Sequence, residues 1–192
     1  MKNPTIRLAT TNDARAISKI YEPYCLDSPA TFELQPASQI EIAERIAKVL
    51  TRFPYLVAEV DGEIVAYAYA SQHKERAAYR FSADVSVYVR RDNIGRGRGK
   101  VLYAVLLPLL EAQGFRNALA GITLPNAGSV ALHSKFGFVD VGVYKNIGYK
   151  LGKWHDVVWM QKVLGSYENQ PIEPLKIAKI LESAEFSYLV SK

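Results

Sequence analysis

Apolar and polar positions alternate over residues 80–89. In an extended chain Phe81, Ala83, Val85 and Val87 would share one face, and Arg80, Ser82 and Asp84 the other. The alternation runs into a turn with glycines at 95, 97 and 99, and helical periodicity begins at once. The pattern predicts a strand, a glycine turn and a helix over 98–113 that Gly114 closes, with Pro108 inside it as an expected kink. Upstream, residues 5–9 read as a short strand and Asn12 as the cap of a helix over 13–21. A loop over 23–37 follows, and Ser38 with Glu41 makes a capping box for a helix to about 52. Residues 55–60 and 63–70, separated only by Asp61-Gly62, predict a hairpin. Downstream come a strand over 118–123, a helix from Asn126 to Phe136 ended by Gly137, and strands over about 138–145 and 157–163. This order predicts an α+β domain with a mixed central sheet over residues 1–164. In the tail, 165–192, Ile177, Leu181, Ala184 and Tyr188 fall at helical spacing and predict an appended helix.

With 192 residues, 49% of them hydrophobic, the chain is long enough for one full core. It shows no membrane-length apolar run and no basic flank leading into an apolar stretch, so a cytoplasmic protein without a membrane partner is expected. Cys25 is the single cysteine and reads as a small apolar core residue. His73, His133 and His155 lack ligand spacing, so no metal is expected. The net charge of +5 matters less than its placement, with Arg90, Arg91, Arg96, Arg98 and Lys100 crowding around the glycine turn. Arg-Gly-Arg-Gly also occurs in RNA-binding tails, but those are long and repetitive, whereas this run joins a strand to a helix; nucleic acid is not an expected partner.

Glycines before a helix leave its first N–H groups uncovered, and together with the positive end of the helix dipole these groups form a seat for phosphate. The spacing is neither that of a P-loop nor that of a dinucleotide-binding turn, and a solvated basic loop is the alternative for the turn alone.

The element order, with 131–138 (Ala-Leu-His-Ser-Lys-Phe-Gly-Phe) closing it, resembles the GNAT superfamily of acetyl-CoA-dependent N-acetyltransferases and, within it, the phosphinothricin and methionine sulfoximine N-acetyltransferases. The resemblance covers about residues 5–164. It rests on 55–63 (Tyr-Leu-Val-Ala-Glu-Val-Asp-Gly-Glu), Lys74 with Arg76 and Ala78-Tyr79, Val87-Tyr88-Val89, 110–115, Leu124-Pro125-Asn126 and 152–157. One departure is Ile94, which stands where the superfamily turn opens with Gln or Arg.

The resemblance implies that acetyl-CoA is the co-substrate. Its pyrophosphate would lie on the amides of Gly95, Arg96, Gly97, Arg98, Gly99 and Lys100, with Arg90, Arg91, Arg96 or Arg98 available for the 3′-phosphate. The pantetheine arm would lie beside the strand of Val87, Tyr88 and Val89, and a backbone N–H of Val87 or Tyr88 would meet the thioester carbonyl. Asn126 and Lys135 would flank the cofactor. Asp84 matches the family's acidic residue and is the candidate general base, against an ordinary exposed Asp on a polar strand face. His133 stands where many members carry a tyrosine general acid; it is read as catalytic or thiolate-facing, against a structural helical histidine. Lys74, Arg76 and Arg80, with Phe32 and Tyr79 as walls, would receive the carboxylate and a second polar group of a small amino acid analogue. Similar enzymes are homodimers, so a homodimer is expected. Two other functions stay open: acetylation of another amine such as a protein N-terminus or a polyamine, and a non-catalytic acyl-CoA sensor that would not need Asp84.

Overall fold

The computed structural model describes residues 3–168 and 170–182. Seven strands form one mixed sheet: β1 (Thr5–Leu8), β2 (Tyr55–Val60), β3 (Glu63–Gln72), β4 (Ser82–Val89), β5 (Asn117–Thr123), β6 (Val139–Lys150) and β7 (Lys153–Val163). Their order is β1-β2-β3-β4-β5-β7-β6. Helices α1 (Ala14–Asp27) and α2 (Gln39–Leu50) cover one face, α3 (Arg98–Gln113) lies on the other, and α4 (Ala127–Lys135) follows β5.

Strand β2 is apolar on both sides because both of its faces are buried. Leu56 and Ala58 meet Leu102, Leu106, Leu109 and Leu110 of the α3 layer, while Tyr55 and Val57 meet Ile17, Ile42 and Ile46 of the α1/α2 layer. Asp61 and Gly62 both have positive φ, 53° and 79°, as a two-residue hairpin turn with the twist of its strands requires. In the capping box of α2, Ser38 Oγ accepts from the Glu41 N–H at 3.2 Å and Glu41 accepts from the Ser38 N–H at 2.7 Å.

Several boundaries differ from the sequence pattern. The first helix starts from a cap at Thr10, whose N–H donates to Asp13, and it runs through Pro23 to Asp27. Ile17, Tyr21 and Cys25 continue its buried stripe at four-residue spacing, and their burial outweighs the hydrogen bond that Pro23 forfeits. Helix α3 likewise continues through Pro108 to Gly114, whose φ is +96°. The last two strands extend to Lys150 and begin again at Lys153, with a tight turn at Leu151-Gly152, so they form a ribbon much longer than its apolar runs suggest. Arg80 is not on a strand face with Asp84, because residues 77–79 form a single 3₁₀ turn and β4 begins only at Ser82.

The tail carries a short helix, α5 (Ile177–Leu181). The Leu175 N–H donates to Gln113 O, and Gln113 Nε2 donates to the carbonyls of Leu175 and Arg52. Ile177 is 1% exposed, so this part of the tail completes the core. Ala184 and Tyr188 lie outside the described residues.

Candidate active site

Strands β4 and β5 are parallel neighbours only at Ser82–Asn117, Ala83–Ala118 and Asp84–Leu119, after which they part. On its other side β4 stays paired with β3 from Ala83 to Val89. The Arg90 N–H donates to Val65 O on the β3 side. Antiparallel alternation therefore turns the backbone groups of Tyr88 and Ser86 toward β3 and those of Val85, Val87 and Val89 toward the opening. Of the two amides expected at the thioester, the one of Val87 faces the cleft and the one of Tyr88 does not. Tyr88 contributes its ring, packed edge-on against Tyr21 and Tyr24. Tyr24 OH donates to Val89 O at 2.6 Å, occupying one acceptor of the open edge.

The opening is a cleft of about 470 Å³ bounded by β4, β5, the glycine turn and α4. Gly95 and Gly97 have φ of 77° and 74°, and Gly97 is the N-cap of α3. An added Cβ would meet nothing at either position, so glycine is required there for backbone conformation rather than for space. Gly99 is different, since a Cβ there would lie 3.0 Å from Leu132 of α4. The amides of Arg98, Gly99 and Lys100 open α3 without intrahelical acceptors and border the cleft, an arrangement suited to an anion.

The basic residues around the turn divide into two sets. Arg90 pairs with Asp92 and Glu63, each at 2.8 Å, and Arg91 pairs with Asp27. Arg96 and Lys100 are exposed at the turn, and Arg98 is buried at the start of α3. Ile94 borders the cleft as an exposed apolar residue. On the far side Asn126 caps α4, its Oδ1 accepting from the Ser129 N–H at 3.1 Å, which leaves its amide NH₂ at the cleft. Lys135, in the last turn of α4, is exposed and does not line the cleft.

Asp84 is the last β4 residue paired with β5 before the strands part, and it lies beside the cleft, whose lining on β4 begins at the next residue, Val85. Burial pushes its carboxyl above the usual carboxylate range, while a hydrogen bond from His73 and the charges of His73 and Lys74 pull the other way. The His73 Nδ1 to Asp84 Oδ1 distance is 2.7 Å. His73 had no motif to mark it. It directly follows β3, and only the pairing of Ser71 with Asp84 shows that the two side chains meet.

His133 is 3% exposed. Its Nδ1 lies 2.8 Å from the Ser129 carbonyl, which can only accept, so Nδ1 carries the proton and Nε2 accepts from Tyr103 OH at 2.9 Å. Burial lowers the imidazole's pKa, against the opposing hydrogen bond to Ser129, and so favours the neutral ring. The proton shared between the two side chains is therefore held on Tyr103, a cleft-lining residue of α3 that no sequence motif singled out.

The residues read as acceptor-binding are less gathered. Tyr79 packs edge-on against His73 at 5.9 Å, and Lys74 and Arg76 are exposed on the segment before it. Arg80 turns away: its guanidinium lies over the Phe81 ring, donates to Ala77 O and approaches Glu173 of the tail at 3.9 Å. Phe32 lies on the β6–β7 ribbon, its ring so close to Gly148 that an added Cβ there would be 2.3 Å away. The same loop is held by Lys150, whose buried Nζ donates to the carbonyls of Thr31 at 2.7 Å and Tyr24 at 3.2 Å.

Residues 6–159 match the family model described as an acetyltransferase (GNAT) domain. The chain is 40% identical over 164 residues to a phosphinothricin N-acetyltransferase of Alcaligenes faecalis, spanning 84% of this chain and 83% of that one. It is 30% identical over 164 residues to an L-methionine sulfoximine/L-methionine sulfone acetyltransferase of Salmonella typhimurium, spanning 85% and 96%. Among solved structures, a phosphinothricin acetyltransferase of Sinorhizobium meliloti in complex with acetyl-CoA superposes with a TM-score of 0.86 at 37% identity, over 91% of this chain and 96% of that one. With the family model matched over most of the chain's length and these relatives covered across most of theirs, the chain belongs to the GNAT family of acetyl-CoA-dependent N-acetyltransferases.

Proposed function

We propose that this enzyme acetylates the α-amino group of a small amino acid analogue of the phosphinothricin, methionine sulfoximine or methionine sulfone type. The observation that carries the reading is the half-buried Asp84 at the point where the strands part, with Lys74 and Arg76 on the segment beside it. A carboxylate there suits an amine that must lose a proton, and the exposed cations suit the acceptor's own carboxylate. The relatives named for these substrates support the same class.

The residues present fit acetyl-CoA: the glycine turn offers amides to a pyrophosphate, and the open edge of β4 offers Val87 and Val89 to an extended arm. When bound, acetyl-CoA supplies an activated acetyl group. The Val87 N–H is placed to polarise a carbonyl lying along β4. Asp84 takes the proton of the acceptor ammonium. Across the cleft, Tyr103 holds the proton that His133 orients, with Ser129 fixing the ring.

The protein works as a homodimer in the cytoplasm. In support, the edge strand β6 exposes Val139, Val141, Val143, Tyr144, Ile147 and Tyr149, an apolar edge that a lone subunit would leave open to aggregation. No helix among the described residues is long and apolar enough to cross a membrane.

Steady-state kinetics with the three analogues, spermidine and a peptide with a free N-terminus test the reading. The analogues are expected to give the highest kcat/KM. Preference for spermidine or the peptide over all three would overturn the acceptor class, and acetyl-CoA binding without turnover of any amine would favour a sensor.

A further inference from the structure

The His73–Asp84 contact joins the end of β3 to β4 on the sheet face that carries α1 and α2. His73 is one-eighth exposed at its side chain and Asp84 about a quarter, so neither is an ordinary surface group. The imidazole is held edge-on between two rings, Tyr79 at 5.9 Å and 72° and Trp159 at 5.8 Å and 77°. Gln72 Nε2 donates to Lys74 O at 2.8 Å and turns the chain just where His73 leaves the strand. Three elements and a local turn thus fix one side chain, and its Nδ1 is aimed at one oxygen of the carboxylate.

We propose that His73 is a positioning residue for amine deprotonation: His73 Nδ1–H holds Asp84 Oδ1 so that Oδ2 is presented to the acceptor ammonium. This rests on the reading of Asp84 as the base. No described residue bonds Oδ2 or His73 Nε2. In the step itself an N–H bond of the ammonium breaks and an O–H bond forms on Asp84 Oδ2. The amine goes from +1 to neutral and the carboxylate from −1 to neutral, while Nδ1–H donates to Oδ1 throughout.

The hydrogen bond has a second consequence, because donation to the ionised form opposes the upward push of burial and keeps more of Asp84 charged. The other titratable or charged groups near the carboxylate are Lys74 beyond β3, Tyr69 on β3 and Tyr79 on the 3₁₀ turn. Of these Lys74 alone adds a cation. It is exposed, so water screens it, and His73 remains the directional partner.

Two substitutions separate positioning from packing. His73→Phe keeps a ring between Tyr79 and Trp159 but removes the donor, whereas His73→Asn keeps an N–H near the place of Nδ1. Losing a hydrogen bond to the charged form raises the pKa of the base, so the acid limb of kcat/KM in His73→Phe is expected to move up by about one pH unit, a tenfold loss on that limb. The KM for acetyl-CoA should stay unchanged, and His73→Asn should keep its limb within about a third of a unit of the parent enzyme. An acid limb in His73→Phe that coincides with the parent's would overturn the proposal.

A second measurement needs neither a folded variant nor an acceptor. Two-bond ¹H–¹⁵N correlation spectra of the histidine rings in the unsubstituted protein should show His73 protonated at Nδ1 across the active pH range. A neutral ring protonated only at Nε2 would overturn it. Because this reading requires no substrate, it stands or falls apart from the choice of acceptor, whereas an unchanged kcat in Asp84→Asn would instead remove Asp84 as the base.

Discussion

The two banks of the proposed site are built by different means. The cofactor bank is made of backbone: positive-φ glycines, the first amides of α3, and the strand edge that β5 leaves open. The acceptor bank, beside the cleft, is made of side chains joined by tertiary structure, with His73 and Asp84 eleven residues apart on neighbouring strands and Lys150 reaching Tyr24 and Thr31 across 126 and 119 residues. A backbone-built site depends on local conformation and is damaged mainly by residues that cannot adopt it. A side-chain-built site depends on long-range packing and is damaged group by group.

The largest effect should come from the acceptor bank. Asp84→Asn keeps the shape but removes the basic oxygen, and kcat should fall by roughly 10² or more, the range for loss of a general base. The KM for acetyl-CoA should not follow. The pH dependence carries the same sign: Asp84 must be ionised to act, and burial holds its pKa above the usual carboxylate range. Activity is therefore lost as pH falls through that raised value, and a profile flat down to the ordinary carboxylate range would separate Asp84 from the proton step.

Gly97→Val should act on the cofactor bank instead. A β-branched residue is strained at φ 74° even though space is free, and displacing the turn should raise the KM for acetyl-CoA at least tenfold, about 1.4 kcal/mol. At saturating acetyl-CoA its kcat should largely return. A KM left untouched would show that the turn does not hold the phosphates.

The contrast also explains what could be read from the sequence. The glycine turn, the start of α3 at Arg98, the cap by Asn126 and the Asp61-Gly62 hairpin are local, so a few adjacent residues specify each of them. The alternation that placed Asp84 opposite Val85 and Val87 is local too, and it ends at Ser82 because the chain upstream turns as a 3₁₀ helix. His73 and Tyr103 escaped notice because their partners are set by strand register and by the packing of α3 against α4, which no spacing records. Arg80 looked like a ligand for the acceptor from its nearness in sequence, yet its side chain is drawn over Phe81 toward Glu173.

The smallest effect expected is at the outer wall of the acceptor bank. Gly148→Ala would place a methyl group against the Phe32 ring and shift the loop that Lys150 anchors. The acceptor KM should rise by about fivefold, equivalent to about 1 kcal/mol and the low end of overpacking costs, with acetyl-CoA kinetics unchanged. An equal change in both Michaelis constants would mean that the wall serves the whole cleft.

The separation of the two banks is tested most directly by calorimetric titration of acetyl-CoA into the parent protein and into Asp84→Asn. Equal dissociation constants, together with the lost turnover of the variant, are the expected result. A variant that binds acetyl-CoA tenfold or more weakly, as Gly97→Val should, would contradict the assignment of Asp84 to the acceptor side.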